Sequence, residues 1–447
     1  MKQRIANWGN YPVMEADVVA LREESGLRQT LAHTRNLIAR GMGRCYGDSA
    51  LAETVVNTLP YNRILAFDPA GGTVRCEAGV TLDDLLSVFL PHGWFPAVTA
   101  GTKFVSIGGA IAADVHGKGP GSFCDHVLDF LLMTADGSLR TCSRSENPEL
   151  FEITRGGMGL TGILLEATLQ LLPVETAYLR EEIVPCRDLE EALMRFEEPS
   201  SRRYSVAWID CVARGRRLGR SILMRGDHAR ADELSGLRRE LPLQLKAKRP
   251  VGVPFSFPNF ILNPLTVRTF NELYFQTHRA RERIIDFESF FYPLDFIRNW
   301  NRIYGRRGFT QYQFLLPPES CEYGLPAMLE RISGFGMGSF LAVLKRFSPH
   351  ETFMSFPREG FFLALDLPLS PALFPLLDQL DRMLLDLGGR LYLAKDARMK
   401  PETFFGGYPN ASEFCRRIRI LDPEARFQSL QSRRLGMHAA PPEGACP

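Results

Sequence analysis

The 447-residue sequence predicts an α+β protein of two domains. Three observations lead there. The length exceeds what one core usually fills and suits two domains of ordinary size. Roughly the first 175 residues are dense in short β-like runs broken by glycine, with a helix among them. From about residue 178, strands are followed by helices, twice over, which reads as a sheet covered by helices on one face.

The elements follow in order. "TVRCEAGV" at 73 to 80 has strand composition. "TLDDLLSVFLPHG" reads as a helix capped by Thr81, with Asp83 and Asp84 in its first turn and a stop near Pro91. "LDFLLMTADGSLRTC" at 128 to 142 predicts a hairpin turning at Asp136-Gly137, and "TGILLEATLQLLP" at 161 to 173 another strand. Later strands are expected in "RRYSVAWIDCVA", "GRSILMRGD", "FTQYQFLLP" and "SFLAVLKRFS", with helices at 188 to 197, 320 to 333 and 371 to 387. The stretch after "GGRLYLAKDARM" is helix-like and basic, and the tail "MHAAPPEGACP" is expected to be disordered.

Composition narrows the function classes. Hydrophobic residues make up 45% and charged residues 23%, as in folded globular proteins. A net charge of +2 gives no global basic field for nucleic acid. The N-terminus lacks an apolar signal-peptide core, and no run of about 18 apolar residues occurs, so a cytoplasmic protein, at most peripheral at the inner membrane, is expected. Nine cysteines without a C-x-x-C suggest free, mostly buried thiols in a reducing compartment. No histidine pair has metal spacing.

Residues 202–249 carry thirteen Lys and Arg against five Asp and Glu, followed by the apolar, proline-broken "PVGVPFSFPNFILNPL". Two readings of 202–265 stand side by side. One is a solvated charged face beside a loop. The other is a mobile segment that meets anionic lipid head groups and admits an apolar substrate tail.

Two glycine-rich loops are the chemical signal. The first is "ARGMGRCYGDSA", 39 to 50; the second is "VSIGGAIAADVHGKGPGS", 105 to 122. Gly41, Gly43 and Gly47 permit turns whose N–H groups converge on an anion such as a pyrophosphate, and Gly108-Gly109 permits close packing against a flat ligand. Neither loop has the Rossmann spacing, and both the Walker pattern and a G-x-S-x-G elbow are absent. One such loop alone is more often structural; two, about 60 residues apart, favour binding. His116 by itself is more often a satisfied core histidine than a base.

These loops, with "TADG", "TRGGMGLTGIL", "WNRIYGRRGFTQYQF" and "GGRLYLAKDAR", resemble the vanillyl-alcohol-oxidase, or PCMH-type, FAD flavoproteins in order along nearly the whole chain. The likeness is greatest to the branch that oxidises polyprenyl-phosphoryl ribose. The resemblance implies an FAD domain formed by 1–178 and 391–447, and a substrate domain, 179–390, whose antiparallel sheet lies over the flavin. It implies cofactor contacts at Ala39, Arg40, Gly41, Met42, Gly43, Arg44, Cys45, Tyr46, Gly47, Asp48, Ser49, Gly101, Ser106, Ile107, Gly108, Gly109, Ala113, Asp114, Val115, His116, Ile163 and Tyr392. FAD is expected to be noncovalent, because Arg44 stands where covalent relatives place a histidine.

It further implies oxidation of a 2′-hydroxyl to a keto sugar, the first half of an epimerisation to arabinose. A separate NAD-dependent reductase is the implied partner, and a quinone or O₂ the electron acceptor. Lys395 in "YLAKD" resembles the family's active-site lysine, with His116 beside the flavin. Gln311 and Gln313 alternate along a strand and so share one face, which suits sugar hydroxyls. Lys118, Lys345 and Tyr46 match pocket residues, and both lysines can approach a phosphate. Phe362 and Ala364 replace an asparagine and a cysteine of the branch, and Phe291 a tyrosine. This leaves oxidation of another sugar alcohol, aldonolactone or natural-product alcohol as the alternative.

Overall fold

The computed structural model describes residues 2–20, 22–245, 248–258, 261–336, 338–339, 341–350 and 352–439. A four-stranded sheet at the N-terminus runs in the order Lys2–Ala6, Val13–Ala20, Thr54–Asn57, Leu37–Arg40, antiparallel in its first pair and parallel in the rest. Beside it lies an antiparallel sheet ordered Ile64–Asp68, Thr73–Glu77, Ile163–Pro173, Val127–Met133, Leu139–Ser143, with Trp94–Pro96 against the long middle strand. Its hairpin turns where the sequence predicts. Gly137 takes φ +78°, and Asp136 accepts from the Ser138 N–H at 3.0 Å, an arrangement an L side chain at 137 would strain.

The helix predicted after Thr81 spans Leu82–Phe89. Thr81 accepts from the Asp84 N–H at 3.1 Å while the Asp84 carboxylate accepts from the Thr81 N–H at 2.8 Å, a closed capping box. Leu82, Leu85 and Phe89 then point into the core under the second sheet.

The largest sheet has eight strands, ordered Arg281–Asp286, Tyr178–Cys186, Ser221–His228, Tyr204–Ile209, Ala342–Phe347, Gly360–Pro368, Phe309–Leu316, Arg390–Leu391, with every neighbouring pair antiparallel. Leu189–Glu197, Pro318–Phe335 and Leu373–Asp386 are the three predicted helices. They cover one face, where Tyr312, Phe314, Leu344, Leu363 and Leu365 meet Leu189, Leu325, Met328 and Leu380. Because side chains alternate along a strand, Gln311, Gln313, Lys345, Phe362 and Ala364 project from the opposite face. That opposite face is the one of functional interest.

The reading of 202–265 as one mobile segment is corrected. Tyr204–Ile209 and Ser221–His228 are inner strands of the large sheet, held there by buried Val206, Ala207, Ile222 and Leu223. Only part of the basic excess is internal: Arg220 and Arg225 are buried, whereas Arg203, Arg214, Arg216, Arg217, Arg230, Arg238, Arg239 and Arg249 are exposed. Arg220 is buried on Asp210 at 2.8 Å, and Asn271 donates to the same carboxylate at 2.7 Å. Of the tail expected to be disordered, Met437 is buried, and 440–447 lie outside the described residues. All eight described cysteines are free thiols, seven of them buried.

Candidate active site

The first glycine loop leaves the Leu37–Arg40 strand, on which Ala39 is half-buried. Gly43 adopts φ +61°. Among the described residues, the N–H groups of Gly41, Met42, Gly43 and Arg44 donate to no protein acceptor. Consecutive unpaired N–H groups on a glycine turn form a concavity for an anion. Gly41 and Gly47 are needed for a second reason: a Cβ on either would collide, with the Ser106 hydroxyl and the Asp396 carbonyl respectively. The first loop thus lies directly on the second loop and on the chain around Lys395.

Polar anchors fix this loop. Arg40 donates to the Ala6 carbonyl at 2.7 Å, and Arg44 donates to the Phe104 carbonyl at 3.2 Å while stacking 4.1 Å above Trp8. Half-buried Cys45 and buried Tyr46 accept from the Trp8 and Gly9 N–H groups, and the Tyr46 N–H reaches the Ala394 carbonyl at 2.9 Å. Asp48, next to buried Ser49, is paired with Arg434 at 2.8 Å; the same guanidinium holds Asp396 at 2.7 Å. The Asp48 carboxylate therefore ties the loop to the C-terminal helix Leu430–Arg434 and is not open to a ligand.

The second loop begins at exposed Gly101 and enters the short helix Ile107–Ala112 through buried Ser106. Gly108 donates to the Ala78 carbonyl at 2.8 Å, while Gly109 stays half-buried. Ala113 accepts from the Tyr392 hydroxyl at 2.9 Å. Asp114 accepts from the Cys124 N–H at 3.1 Å and from the Ser355 hydroxyl, so its carboxylate too is consumed by the scaffold. Val115 packs on the core below, and Ile163, expected at the cofactor, buries its side chain completely among Leu27, Leu37 and Val56. Any contact Ile163 makes there must come from its backbone.

His116 is where the loop meets the large sheet. Its ring sits among Phe347, Phe356, Phe362 and Tyr392, with centroids 4.9 to 5.5 Å away. The Gln313 amide lies 2.7 Å from Nε2, and the buried Nδ1 has no hydrogen-bond partner among the described residues. Burial, with Lys345 and Lys395 nearby, holds the imidazole neutral by pulling its pKa well below the usual histidine value.

Three lysines line the same face. Lys345 donates to the carbonyls of Gly117 and Gly119, the latter at 2.6 Å, and Lys118 donates to the Phe290 carbonyl with its ammonium 4.4 Å from that ring. Neither is ion-paired to a carboxylate among the described residues. Burial pulls Lys118 down to about 8, partly offset by Glu181; burial together with Lys118 pulls Lys345 down to about 7. Lys395 ends the turn Leu393–Lys395 and places its ammonium 3.9 Å from the Tyr46 ring centroid. Burial lowers its pKa too, with Asp366 opposing.

Sequence reasoning missed Asp366, which accepts from Gln311 Nε2 at 2.6 Å. The signal was present, since Asp366 continues the period-two series from Phe362 and Ala364. It also missed Phe347 and Phe356 around His116, and Arg434; nothing local marks those. Phe291, expected on a pocket wall, packs instead with Phe95, Tyr204 and His228. Among the described residues no cluster of three or more His, Cys, Asp or Glu is arranged for a metal.

A family profile described as an FAD binding domain matches residues 18–143, which include the whole of both glycine loops. Decaprenylphosphoryl-β-D-ribose oxidase of Mycolicibacterium smegmatis is 36% identical over 448 residues, covering 97% of each chain. The chain belongs to the decaprenylphosphoryl-β-D-ribose oxidase family. An uncharacterized Streptomyces coelicolor protein is 34% identical over 80% of this chain and 100% of its own. Mouse L-gulonolactone oxidase is 31% identical, but only over 32% of this chain and 34% of its own.

The unpaired N–H groups of the first loop and the orphaned His116 nitrogen fit a flavin dinucleotide that needs anion contacts and a polar ring edge. FAD is the cofactor, and the chain is an FAD-dependent oxidoreductase acting on CH–OH groups. When bound, FAD supplies the hydride-accepting chemistry. The protein's part is to orient the alcohol, exclude water and move its hydroxyl proton.

Proposed function

We propose that the protein oxidises the 2′-hydroxyl of a polyprenyl-phosphoryl ribose to the 2′-keto sugar. The observation that carries this is the pair of half-buried Lys118 and buried Lys345, two cations on the pocket face that donate to carbonyls and have no carboxylate ion pair among the described residues. Buried charge without a counter-charge is costly, so such a pair is built for an anion that arrives with the substrate. A phosphate fits, and a free polyol would leave both lysines unmatched. Gln311 and Gln313, two residues apart on one strand, then meet the sugar hydroxyls. Lys395 takes the hydroxyl proton, since burial lowers its pKa toward neutrality.

FAD is held noncovalently in this reading. Arg44, clamped between the Phe104 carbonyl and the Trp8 ring, offers no nucleophile to the flavin. Residues 1–178 with 391–447 form the cofactor half and 179–390 the substrate half. In support, every strand of the four- and six-stranded sheets ends by Pro173. The keto product is electrophilic at the oxidised carbon, so a separate NAD-dependent reductase completes epimerisation to arabinose, and a quinone or O₂ reoxidises the flavin.

The lipid tail implies peripheral membrane contact. Leu237, Val251, Phe255, Leu265 and Leu273 are 58% to 74% exposed, and Arg238, Arg239, Arg249 and Arg268 in the same stretch are exposed too. Apolar tips beside cations suit an anionic bilayer surface. Among the described residues no helix is long and apolar enough to cross a membrane.

A second reading, oxidation of another sugar alcohol or an aldonolactone, draws on the apolar wall that Phe362 and Ala364 put beside His116. Anaerobic titration separates the two. Polyprenyl-phosphoryl ribose is expected to bleach the flavin at concentrations where free polyols and aldonolactones do not. Bleaching by the free compounds alone would overturn the first reading.

A further inference from the structure

Asp366 lies directly across from Gln311 in the register of the Phe309–Leu316 and Gly360–Pro368 strands. It is 1% exposed. A carboxylate so deep is costly unless its surroundings match it. The Gln311 amide donates to it at 2.6 Å and the Tyr304 hydroxyl also bonds to it, while the Ser339 hydroxyl fixes the strand by accepting from the Asp366 backbone N–H at 3.2 Å. Lys395, Tyr46 and Tyr304 lie close enough to feel its charge. Burial pushes the Asp366 carboxyl up to about 7, with the Gln311 amide, the Lys395 charge and the Tyr304 hydroxyl holding it down.

We propose that Asp366 is a positioning residue for the oxidation, acting on the substrate through two neighbours, Lys395 and Gln311. This rests on the reading that both neighbours face the alcohol. The first action is electrostatic. When the alcohol carbon is oxidised, its hydride leaves to the cofactor, the O–H bond breaks as C=O forms, and the proton bonds to the neutral Lys395 amine. The ammonium so formed needs a counter-charge in a dry site, and Asp366 supplies it. Without Asp366 the buried amine is too weak a base to keep the proton.

The second action is geometric. A carboxylate only accepts hydrogen bonds, so the NH₂ of Gln311 must face Asp366 and its carbonyl oxygen must face away. Gln311 is thereby fixed as an acceptor for a substrate hydroxyl. Reversing the amide would set two oxygens against each other.

The test follows Lys395 itself, in FAD-loaded protein without substrate. Titratable or charged groups facing it are Asp366, Cys45, Tyr46 and His116, with Arg40, Arg44 and Tyr304 behind them. The rate of Lys395 modification by an amine-reactive reagent is measured against pH by peptide mass spectrometry. Asp366→Asn is expected to move the midpoint down by about one pH unit, as loss of an opposite charge a few ångströms away does. Asp366→Glu should restore it. An unchanged midpoint in Asp366→Asn overturns the proposal.

If Asp366→Asn folds poorly, thermal midpoints of Lys395→Met and of Lys395→Met/Asp366→Asn decide instead. Asp366→Asn should lower the midpoint when Lys395 is present but raise it in the Lys395→Met background, where the carboxylate has lost its partner. Equal shifts in both backgrounds overturn the proposal. Neither readout uses a substrate, so a wrong assignment of the sugar leaves both intact.

Discussion

The two ends of the pocket face treat buried lysine differently. At one end Lys395 has a carboxylate, Asp366, within electrostatic reach and an aromatic ring under its ammonium. At the other, Lys118 and Lys345 have carbonyl oxygens and each other, and the one carboxylate that Lys118 feels, Glu181, is already paired with Arg283 at 2.6 Å. A cation with a counter-charge can exchange a proton and stay compensated through a reaction. A pair of cations without one is incomplete until an anion comes. The contrast separates the end where the proton moves from the end that grips the substrate's charge.

The largest expected effect falls at the proton-moving end. Lys395→Ala should keep FAD but slow anaerobic flavin reduction by about 10²- to 10⁴-fold, the usual worth of a placed acid–base group. Reduction at the normal rate would erase the distinction between the two ends. Next comes the gripping end. Lys118→Met should raise the KM for a phosphorylated substrate by about 10- to 100-fold, as expected for one lost charge-assisted hydrogen bond, and hardly change that for an unphosphorylated analogue. Equal losses on both substrates would mean that Lys118 serves the scaffold.

Titration sharpens the comparison further. Phosphate binding needs both ammoniums, and they lose their protons near 8 and near 7. The KM for the phosphorylated substrate should therefore climb above neutrality, by about tenfold per pH unit once a lysine has titrated. A flat KM between pH 7 and 9 would count against the pair.

The smallest effect is on stability. Both folded-state values lie below the ordinary lysine value, so the unfolded chain binds more protons between pH 7 and 10. Raising the pH across that window should stabilise the ligand-free protein, by at most about 1.4 kcal/mol per pH unit for each lysine. Denaturant melts at three pH values, with Lys345→Met as the reference, measure it.

Much of this was legible in the sequence. The capping box at Thr81, the Asp136-Gly137 hairpin and the three long helices obey local rules, and the structure has each of them. Alternation along "TQYQF" correctly set Gln311 and Gln313 on one face. Taking 202–265 as one mobile segment failed because a charge count cannot see the inner strands at Tyr204–Ile209 and Ser221–His228, or Asp210 neutralising Arg220 between them. Pairings across long separations stayed hidden for the same reason. His116 meets Gln313 across 197 residues, and Arg434 meets Asp48 across 386.

That last pairing bears on how the protein is made. Asp48 and the Lys395 segment share a single guanidinium near the end of the chain, and the Leu37 strand is bracketed by backbone bonds to Arg426 and Gln428. A ribosome that has released the first glycine loop still lacks the piece that locks it. Cofactor capture should then come late in synthesis, and a nascent chain stalled before residue 434 should emerge colourless. Yellow colour would then mark a chain translated through that residue.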